Sequence, residues 1–367
     1  MGEAMANLMQ RLGLKLPIVQ APMAGVSTPA MAAAVTNAGA LGSIGVGATD
    51  AAGARAMIET LRSRTSGSFN VNVFCHRPAT ADARREQAWL AALEPLFKRY
   101  GAQTPATIHE IYTSFLADEA MVELLADARP AVVSFHFGLP SAQTIGRLKS
   151  AGVMLFSTAT NLEEAEKAAA TGVDAIVAQG YEAGGHRGVF DPDAPDPRLG
   201  VLALTRLLAS RIPLPVIAAG GIMDGAGIGA ALVLGAELAQ LGTAFVACPE
   251  SSADAFYREA LFGPGASATR MTPVISGRPA RCLANRFTDL EDADLKGLAI
   301  PDYPVAYDVG KALAAAGRAQ GEGGFGAQWA GQGAPLARSL PAAELVSVLA
   351  QELAAARERI RGSTIRA

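Results

Sequence analysis

The sequence has little cysteine, few aromatic side chains and no excess of charge of either sign, and these shortages argue against several classes of protein. Its three cysteines, Cys75, Cys248 and Cys282, are far apart and lack the spacing of metal ligands. We therefore expect neither a disulfide scaffold nor a metal site, and so few cysteines are typical of a reducing cytoplasm. The net charge of −3 comes without a basic stripe, which argues against a nucleic-acid partner.

Long apolar runs are missing as well. No segment reaches the roughly 18 consecutive apolar residues that a membrane-spanning helix needs. The N-terminal segment MGEAMANLMQRLGLKLP also lacks the apolar run of a signal peptide. We therefore expect a cytoplasmic protein without membrane association, whereas these features predict nothing about the oligomeric state.

Small and apolar residues are abundant. Half of the 367 residues are hydrophobic, 39 are glycine and only 18% are charged. A chain with this length and composition can bury a large core, and it does not have the composition of a disordered protein. Small side chains permit close packing of helices on strands, which favours a layered α/β fold.

Short apolar runs alternate along the chain with longer amphipathic stretches. The stretch from Asn161 to Gly172 is the clearest helix, because asparagine can cap its N-terminus and glycine its C-terminus. Repeated strand–helix units predict a parallel sheet with crossover helices, and eight strands favour a closed (β/α)8 barrel, the TIM barrel. The predicted strands are residues 18–20, 41–44, 69–73, 131–135, 153–157, 174–178, 215–219 and 238–241.

An open, doubly wound sheet is the competing fold. It would be expected to carry a dinucleotide fingerprint after an early strand. The glycine-rich segment LGSIGVG (41–47) does not fit G-x-G-x-x-G, and no acidic residue follows at the usual distance. The closed barrel is therefore favoured.

Two stretches interrupt the alternation. Residues 76–119 form a long insertion after the third strand, with a predicted helix at 81–100. Residues 249–321 lack strand–helix units and predict a helical excursion after the eighth strand that contributes to the substrate pocket. The remaining residues, 1–248 and 322–367, would then form the barrel.

The final part of the chain contains two further predicted features. Residues 321–333 are rich in glycine and predict a flexible loop. Residues 341–361 have the pattern of an amphipathic helix that closes the barrel.

The segment after the sixth predicted strand carries the strongest chemical signal. Barrel active sites lie at the carboxyl ends of the strands, and here the chain reads AQGYEAGGHRG (178–188). Gln179 can hydrogen-bond the heteroatoms of a cofactor, and Gly184 permits close approach of the backbone to a ligand. His186 is the best candidate for a group that titrates near neutral pH. An ordinary surface loop would not need this combination.

Glycine turns follow the seventh and eighth predicted strands, at Gly220–Gly221 and within residues 240–243. Barrels bind phosphate at these positions, through backbone N–H groups. Asn72 lies on the third strand, where a buried amide needs a partner; a ligand or the protein itself could supply one. A phosphate together with amides at Asn72 and Gln179 suits FMN, and agrees with the missing dinucleotide fingerprint.

Other candidates for the site allow two interpretations each. The turn after the first strand is either a simple helix cap or a backbone that approaches a flat ligand at Met23. His136, at the end of the fourth strand, is as consistent with a structural as with a functional role. Tyr303, Tyr307 and Lys311 have the spacing of one helix face, which is either an ordinary amphipathic face or a polar wall that receives an anionic substrate.

Four segments together resemble those of class I nitronate monooxygenases, formerly called 2-nitropropane dioxygenases. They are QAPMAGVST (20–28), QGYEAGGHRG (179–188), AAGGIMDG (218–225) and QLGT (240–243). The resemblance covers essentially the whole chain. It implies an FMN-binding barrel that oxidises alkyl nitronates with O₂ to a carbonyl compound and nitrite. Propionate 3-nitronate is the substrate that the resemblance suggests, and detoxification is the implied role.

The resemblance also implies roles for individual residues. His186 matches the catalytic histidine of the family. The expected FMN contacts are Met23, Asn72, Gln179, Gly184, Gly220, Gly221, Gln240, Leu241, Gly242 and Thr243. The expected substrate contacts are Tyr112, His136, Tyr303, Tyr307 and Lys311. Two departures from the family pattern, Ala24 and Cys248, do not involve these residues.

Three alternatives remain open at the level of sequence. The first is an NAD(P)H-dependent flavin reductase of quinones or enoyl thioesters, since such enzymes carry similar glycine motifs. The second is a non-catalytic FMN-binding protein, and the third is a phosphate-binding barrel without flavin. His76 and His109 are interpreted as structural.

Overall fold

Eight parallel strands form a closed barrel, which confirms the predicted (β/α)8 fold. The structure, a computed structural model, describes residues 7–362; residues 1–6 of the N-terminal segment and residues 363–367 lie outside the described part. The barrel strands are β1 (Ile18–Gln20), β2 (Gly42–Gly45), β3 (Phe69–Phe74), β4 (Val132–His136), β5 (Met154–Ala159), β6 (Ala175–Gln179), β8 (Val216–Ala219) and β9 (Leu238–Leu241). Their order in the barrel is β1-β9-β8-β6-β5-β4-β3-β2. The strand β7 (Gly185–His186) follows β6 in the sequence but belongs to a separate small sheet. A parallel bridge between Val19 and Leu41 closes the ring.

Helices connect the strands and surround the barrel. They are α1 (Leu8–Leu12), α2 (Pro29–Asn37), α3 (Ala51–Arg62), α4 (Ala83–Arg99), α5 (Glu119–Ala128), α6 (Ala142–Ser150), α7 (Leu162–Ala170), α8 (Val201–Arg211), α9 (Gly225–Val233), α10 (Thr243–Val246), α11 (Ala255–Phe262), α12 (Arg286–Asp289), α13 (Val305–Ala319) and α14 (Ala342–Gly362). Short 3-10 helices lie at Phe115–Ala117, Pro264–Ser267, Leu290–Asp292 and Ala334–Leu336.

The local signals explain why these elements form where they do. The barrel strands are apolar at successive positions because both of their faces are covered, and β6 and β8 are buried throughout. At α7, the Asn161 side chain accepts a hydrogen bond from the Glu164 amide, and Gly172 follows the helix with a φ of 84°. Both predicted caps of this helix are therefore present.

The insertion after β3 and the excursion after β9 pack against each other. Trp89, Leu93 and Phe97 of α4 share a buried cluster with Val309 and Leu313 of α13. The helix predicted in the insertion is confirmed as α4. The two interruptions of the barrel pattern thus form one structure with its own apolar core.

The excursion also contains two strands that the sequence did not predict. These are β10 (Arg270–Thr272) and β11 (Ala280–Cys282), which form a small antiparallel sheet with β7 (Gly185–His186). Strands of two or three residues leave no periodic signal, because their position depends on pairing rather than on local propensity. The small sheet connects the excursion to the loop that follows β6.

The glycine-rich segment 321–333 is packed, so the prediction of a flexible loop is wrong. Phe325 and Ala330 are buried. A Cβ atom on Gly323 would lie 2.5 Å from Phe256, and one on Gly331 would lie 2.6 Å from the Glu182 carbonyl oxygen. The glycines serve close packing here, which sequence composition does not distinguish from flexibility.

Residues 7–362 lack two features. No helix in this range is both long enough and apolar enough to cross a membrane. The same range contains no cluster of histidine, cysteine and acidic side chains that could hold a metal ion.

Candidate active site

A cavity of about 690 Å³ lies at the carboxyl ends of the barrel strands and extends beneath the excursion. It brings together fifteen of the sixteen predicted site residues, all except Leu241. The predicted residues that line it are Met23, Asn72, Tyr112, His136, Gln179, Gly184, His186, Gly220, Gly221, Gln240, Gly242, Thr243, Tyr303, Tyr307 and Lys311.

 Fourteen of them are expected cofactor or substrate contacts, and the fifteenth is the catalytic candidate His186.

Leu241 does not line this cavity. Its side chain is 1% exposed and packs in the layer between barrel and helices, in the cluster that contains Met31 and Phe245. Its carbonyl oxygen accepts a hydrogen bond from the Ala21 amide at 2.8 Å. The Leu241 side chain therefore points away from the cavity, because alternate residues of a strand point to opposite faces. Its expected contact with the cofactor stays a prediction.

The glycine turns after β8 and β9 form a cradle of backbone amides. Gly220 and Gly221 have φ values of 128° and 67°, which disfavour other residues. Within residues 7–362, the amides of Gly220, Gly221, Gly242 and Thr243 donate to no protein acceptor. The Thr243 hydroxyl accepts a hydrogen bond from the Gly331 amide at 2.9 Å. Unpaired amides around a glycine-lined hollow suit a phosphate group.

The two amide side chains of the predicted cofactor site are partly used by the protein. Asn72 donates to the carbonyl and hydroxyl oxygens of Ser134 at 3.0 and 2.9 Å, so its own oxygen is left for a ligand. Gln179 donates to the His186 carbonyl oxygen at 3.0 Å and accepts from the Gly188 amide at 2.7 Å. Gln179 therefore holds the histidine segment in place, in addition to facing the cavity.

His186 is held on a rigid support. It lies on β7, where it pairs with Ala280 of β11 in the small antiparallel sheet. Its carbonyl oxygen is near Nε2 of His136, at 3.2 Å. Its own Nε2 lies 2.9 Å from the hydroxyl oxygen of Ser276. The backbone and one ring nitrogen of His186 are thus both fixed by the excursion and the barrel.

Aromatic rings surround the imidazole of His186. The ring centroids of Tyr303 and Trp329 both lie 5.1 Å from it, that of Phe137 lies at 5.6 Å and that of Tyr307 at 6.1 Å. Sequence reasoning missed Phe137 and Trp329. Trp329 could have been noticed as one of two tryptophans in the chain, but its segment was interpreted as a loop.

His136 has no free ring nitrogen for a substrate in this arrangement. Its Nδ1 lies 3.1 Å from the Thr158 hydroxyl, and its Nε2 lies 3.2 Å from the His186 carbonyl oxygen. A carbonyl oxygen can only accept, so Nε2 carries the proton. Burial lowers the pKa of His136 to about 4, so the ring is neutral near pH 7. His136 lines the cavity as predicted, but both of its ring nitrogens are engaged by the protein, and its contact with substrate stays a prediction.

A buried arginine lies behind the histidines. The guanidinium carbon of Arg278 is 4.3 Å from the centroid of the Phe137 ring, and the side chain is 2% exposed. It donates to the Val189 carbonyl oxygen and makes no ion pair within residues 7–362. Burial lowers the pKa of His186 well below its ordinary value, and the positive charge of Arg278 adds to this effect. His186 is therefore a neutral imidazole near pH 7.

The cavity wall beside His186 carries hydroxyl groups and a cation. The hydroxyl of Tyr303 is buried and has no hydrogen-bond partner in the described part of the chain. Burial raises the pKa of Tyr307 to about 12 and also raises the pKa of Tyr112, so both hydroxyls stay protonated near pH 7. Lys311 Nζ lies 4.7 Å from the ring centroid of Tyr112 and 5.2 Å from that of Tyr307. This wall offers positive charge and hydrogen-bond donors.

The spacing of Tyr303, Tyr307 and Lys311 predicts that all three lie on one helix, but only two of them do. Tyr307 and Lys311 lie on α13, whereas Tyr303 precedes the helix, which begins at Val305. Tyr303 nevertheless faces the same cavity. The three side chains converge as expected, although one of them comes from the segment before the helix.

Comparison with known proteins agrees with this architecture. The family model of nitronate monooxygenase matches residues 6–352. A nitronate monooxygenase of Paraburkholderia phytofirmans is 63% identical over 354 residues, which cover 96% of both chains. Nitroalkane oxidase from Streptomyces ansochromogenes, a solved structure, is 40% identical with a TM-score of 0.88, and the match covers 96% of this chain and 99% of that one. The structure of FabK from Thermotoga maritima is 27% identical with a TM-score of 0.74, covering 97% and 98%. The chain belongs to the nitronate monooxygenase family.

Proposed function

We propose that this protein is an FMN-dependent nitronate monooxygenase, which oxidises alkyl nitronates with O₂ to a carbonyl compound and nitrite. Propionate 3-nitronate is the proposed substrate, and detoxification is the proposed role. The observation that carries the proposal is the unpaired ammonium group of Lys311, which shares one cavity with tyrosine hydroxyls and a cradle of free amides. An anionic substrate and an anionic cofactor both fit these features.

The cavity fits FMN in its charge and in its hydrogen-bonding groups. The amides of Gly220, Gly221, Gly242 and Thr243 would hold the phosphate. The free side-chain oxygen of Asn72 would accept a hydrogen bond from the flavin ring. When bound, the flavin supplies the redox chemistry that the protein side chains lack, accepting electrons from the substrate and passing them to O₂.

The protein's own residues would bind and orient the nitronate. Lys311 supplies the positive charge, and the protonated hydroxyls of Tyr112 and Tyr307 donate hydrogen bonds to the nitro oxygens. The rings of Tyr307 and Trp329 limit the space beside His186 and exclude water. A nitronate is already an anion, so little base catalysis is needed for its oxidation. His186 would act on neutral nitroalkanes, whose α-proton must first be removed.

An NAD(P)H-dependent flavin reductase is the second candidate, and the likeness to the FabK structure is the observation that favours it. The two functions differ in the electron donor. The flavin-loaded protein should therefore be mixed without oxygen with propionate 3-nitronate in one cell and with NADPH or NADH in others. Bleaching of the flavin by the nitronate alone supports the monooxygenase, whereas rapid bleaching by a reduced nicotinamide would make the reductase the better account.

The proposed location of the enzyme is the cytoplasm. Cys75, Cys248 and Cys282 are buried free thiols, and burial raises the pKa of each above its ordinary value. They are therefore inert packing residues, which agrees with a reducing cytoplasm. O₂ and a small nitronate are the proposed partners of the reaction.

A further inference from the structure

We propose that Ser276 is a positioning residue that fixes the tautomer of His186, with the proton on Nε2 and a bare Nδ1 facing the cavity. Nδ1 would then be the atom that receives the α-proton of a neutral nitroalkane. The catalytic part of this inference rests on the proposed function, whereas the tautomer itself does not.

A short hydrogen-bond chain determines where the proton lies. The Ser276 hydroxyl donates to the Arg278 carbonyl oxygen at 3.2 Å and lies 2.9 Å from His186 Nε2. Ser276 is fully buried, so no solvent competes for these groups. Since a carbonyl oxygen only accepts and a hydroxyl has one proton, all three groups are satisfied when Nε2–H donates to the Ser276 oxygen. A neutral imidazole carries one proton, so Nδ1 has none.

The position of Ser276 is determined by the backbone around it. The amides of Ser276 and Gly277 both donate to the Pro273 carbonyl oxygen, at 3.3 and 2.8 Å. Gly277 has a φ of 89°, and a Cβ atom there would lie 2.5 Å from the Pro301 carbonyl oxygen. This turn leads directly into β11, which pairs with β7. The strand pairing that holds His186 therefore also places Ser276 beside its ring.

Nδ1 of His186 is free to react. Within residues 7–362 this nitrogen has no hydrogen-bond partner, and it is not fully enclosed by protein atoms. His186 lines the cavity. The rings around this imidazole are those of Phe137, Tyr303, Tyr307 and Trp329. None of these has a carboxylate that could take the proton instead.

The tautomer has a chemical consequence. A bare Nδ1 can accept a proton but cannot donate one to a nitro oxygen. In the proposed step, the α-C–H bond of the nitroalkane breaks, its electron pair remains on the substrate as the nitronate, and an N–H bond forms at Nδ1. Binding of the anion so formed then depends on Lys311 and the tyrosines rather than on His186.

Histidine ¹⁵N NMR of the flavin-loaded protein tests the tautomer without any turnover. The chain has only four histidines, and the signals of His186 are identified by their disappearance in His186→Asn. We expect a protonated, pyrrole-type Nε2 and a bare, pyridine-type Nδ1. In Ser276→Ala this preference should be lost. The opposite tautomer in the wild-type protein, or an unchanged spectrum in Ser276→Ala, would overturn the assignment.

Kinetics test the positioning role. In Ser276→Ala, kcat on a neutral nitroalkane should fall about 10- to 100-fold, while KM changes less than about threefold. The loss on a preformed nitronate should be at least about ten times smaller, since that substrate needs no base. Ser276→Thr keeps the hydroxyl and should retain most of the activity. Ser157→Ala removes another fully buried serine outside the cavity, and controls for a general packing defect.

The outcomes separate the two proposals. Wild-type kcat on neutral nitroalkanes in Ser276→Ala would contradict the positioning role. Equal losses on nitroalkane and nitronate would contradict it too. A wild-type protein that oxidises neither substrate would instead overturn the proposed function, and the ¹⁵N spectrum would still decide the tautomer. If Ser276→Ala does not fold, the wild-type spectrum alone decides it.

Discussion

The ammonium group of Lys311 lies 4.7 Å from the ring centroid of Tyr112 and forms no ion pair with a carboxylate in the described part of the chain. A cation at the edge of a cavity that contacts aromatic faces and forms no ion pair keeps its charge available for a ligand. The proposed nitronate binding depends most directly on this relationship.

Removing the charge of Lys311 should weaken nitronate binding. For Lys311→Met we expect KM for propionate 3-nitronate to rise about 10- to 100-fold, since a charge-assisted hydrogen bond is lost. Arg318→Met is the matched control, because Arg318 lines the same cavity but is already paired with Asp254 at 3.0 Å. Steady-state kinetics on both variants give the comparison. Equal KM values in the wild-type protein and Lys311→Met would show that Lys311 does not bind the anion.

The same residue predicts a loss of activity at alkaline pH. Partial burial lowers the pKa of Lys311 below that of an ordinary lysine. As pH rises through this pKa the ammonium group loses its proton and its charge, so kcat/KM for the nitronate should fall. The pH profile of kcat/KM measures this directly. The alkaline fall should disappear in Lys311→Met, and its persistence there would assign it to another group.

His186→Asn should separate the two classes of substrate. Asparagine keeps a polar group of similar size but cannot act as a base. We expect the variant to retain FMN and to lose kcat on neutral nitroalkanes by about 100-fold or more, with a smaller loss on nitronates. Parallel assays with both substrates and the flavin absorbance of the purified protein check this. Undiminished turnover of nitroalkanes would remove His186 from the base role.

Two substitutions of Gly242 that have nearly the same shape, Gly242→Asn and Gly242→Asp, test whether the backbone amides after β8 and β9 bind the phosphate. Gly242 has a negative φ, and a Cβ atom there would make only ordinary contacts with Ala21 and Met23. Asparagine and aspartate should therefore both be tolerated, but aspartate places a negative charge beside the proposed phosphate. We expect Gly242→Asp to bind FMN at least about tenfold more weakly than Gly242→Asn, a difference of about 1.4 kcal/mol. Titration of the apoprotein with FMN measures both affinities, and equal values would place the phosphate elsewhere.

The barrel could be predicted from the sequence because its signals are local and repeated. Strands covered on both faces are apolar throughout, and helix caps such as Asn161 occur at predictable positions. The residues that line the cavity could be located because the carboxyl ends of parallel strands converge. Leu241 was the exception, since the motif that contains it does not show which side chains point inward.

The features that sequence reasoning missed depend on contacts between distant segments. Ser276 lies beside His186 only because β11 pairs with β7, and neither strand is long enough to leave a pattern. Trp329 reaches the imidazole because glycines in its segment pack against the loop after β6. The hydrogen bonds that occupy both ring nitrogens of His136 are likewise set by tertiary structure.

Oxygen consumption by the flavin-loaded protein, with nitrite assayed in the same vessel, tests the central proposal most directly. Propionate 3-nitronate is the substrate to add first. The account predicts rapid oxygen uptake accompanied by nitrite formation, without any reduced nicotinamide. No uptake by a protein that contains its flavin would contradict it, and the NAD(P)H-dependent reductase would then be the function to test.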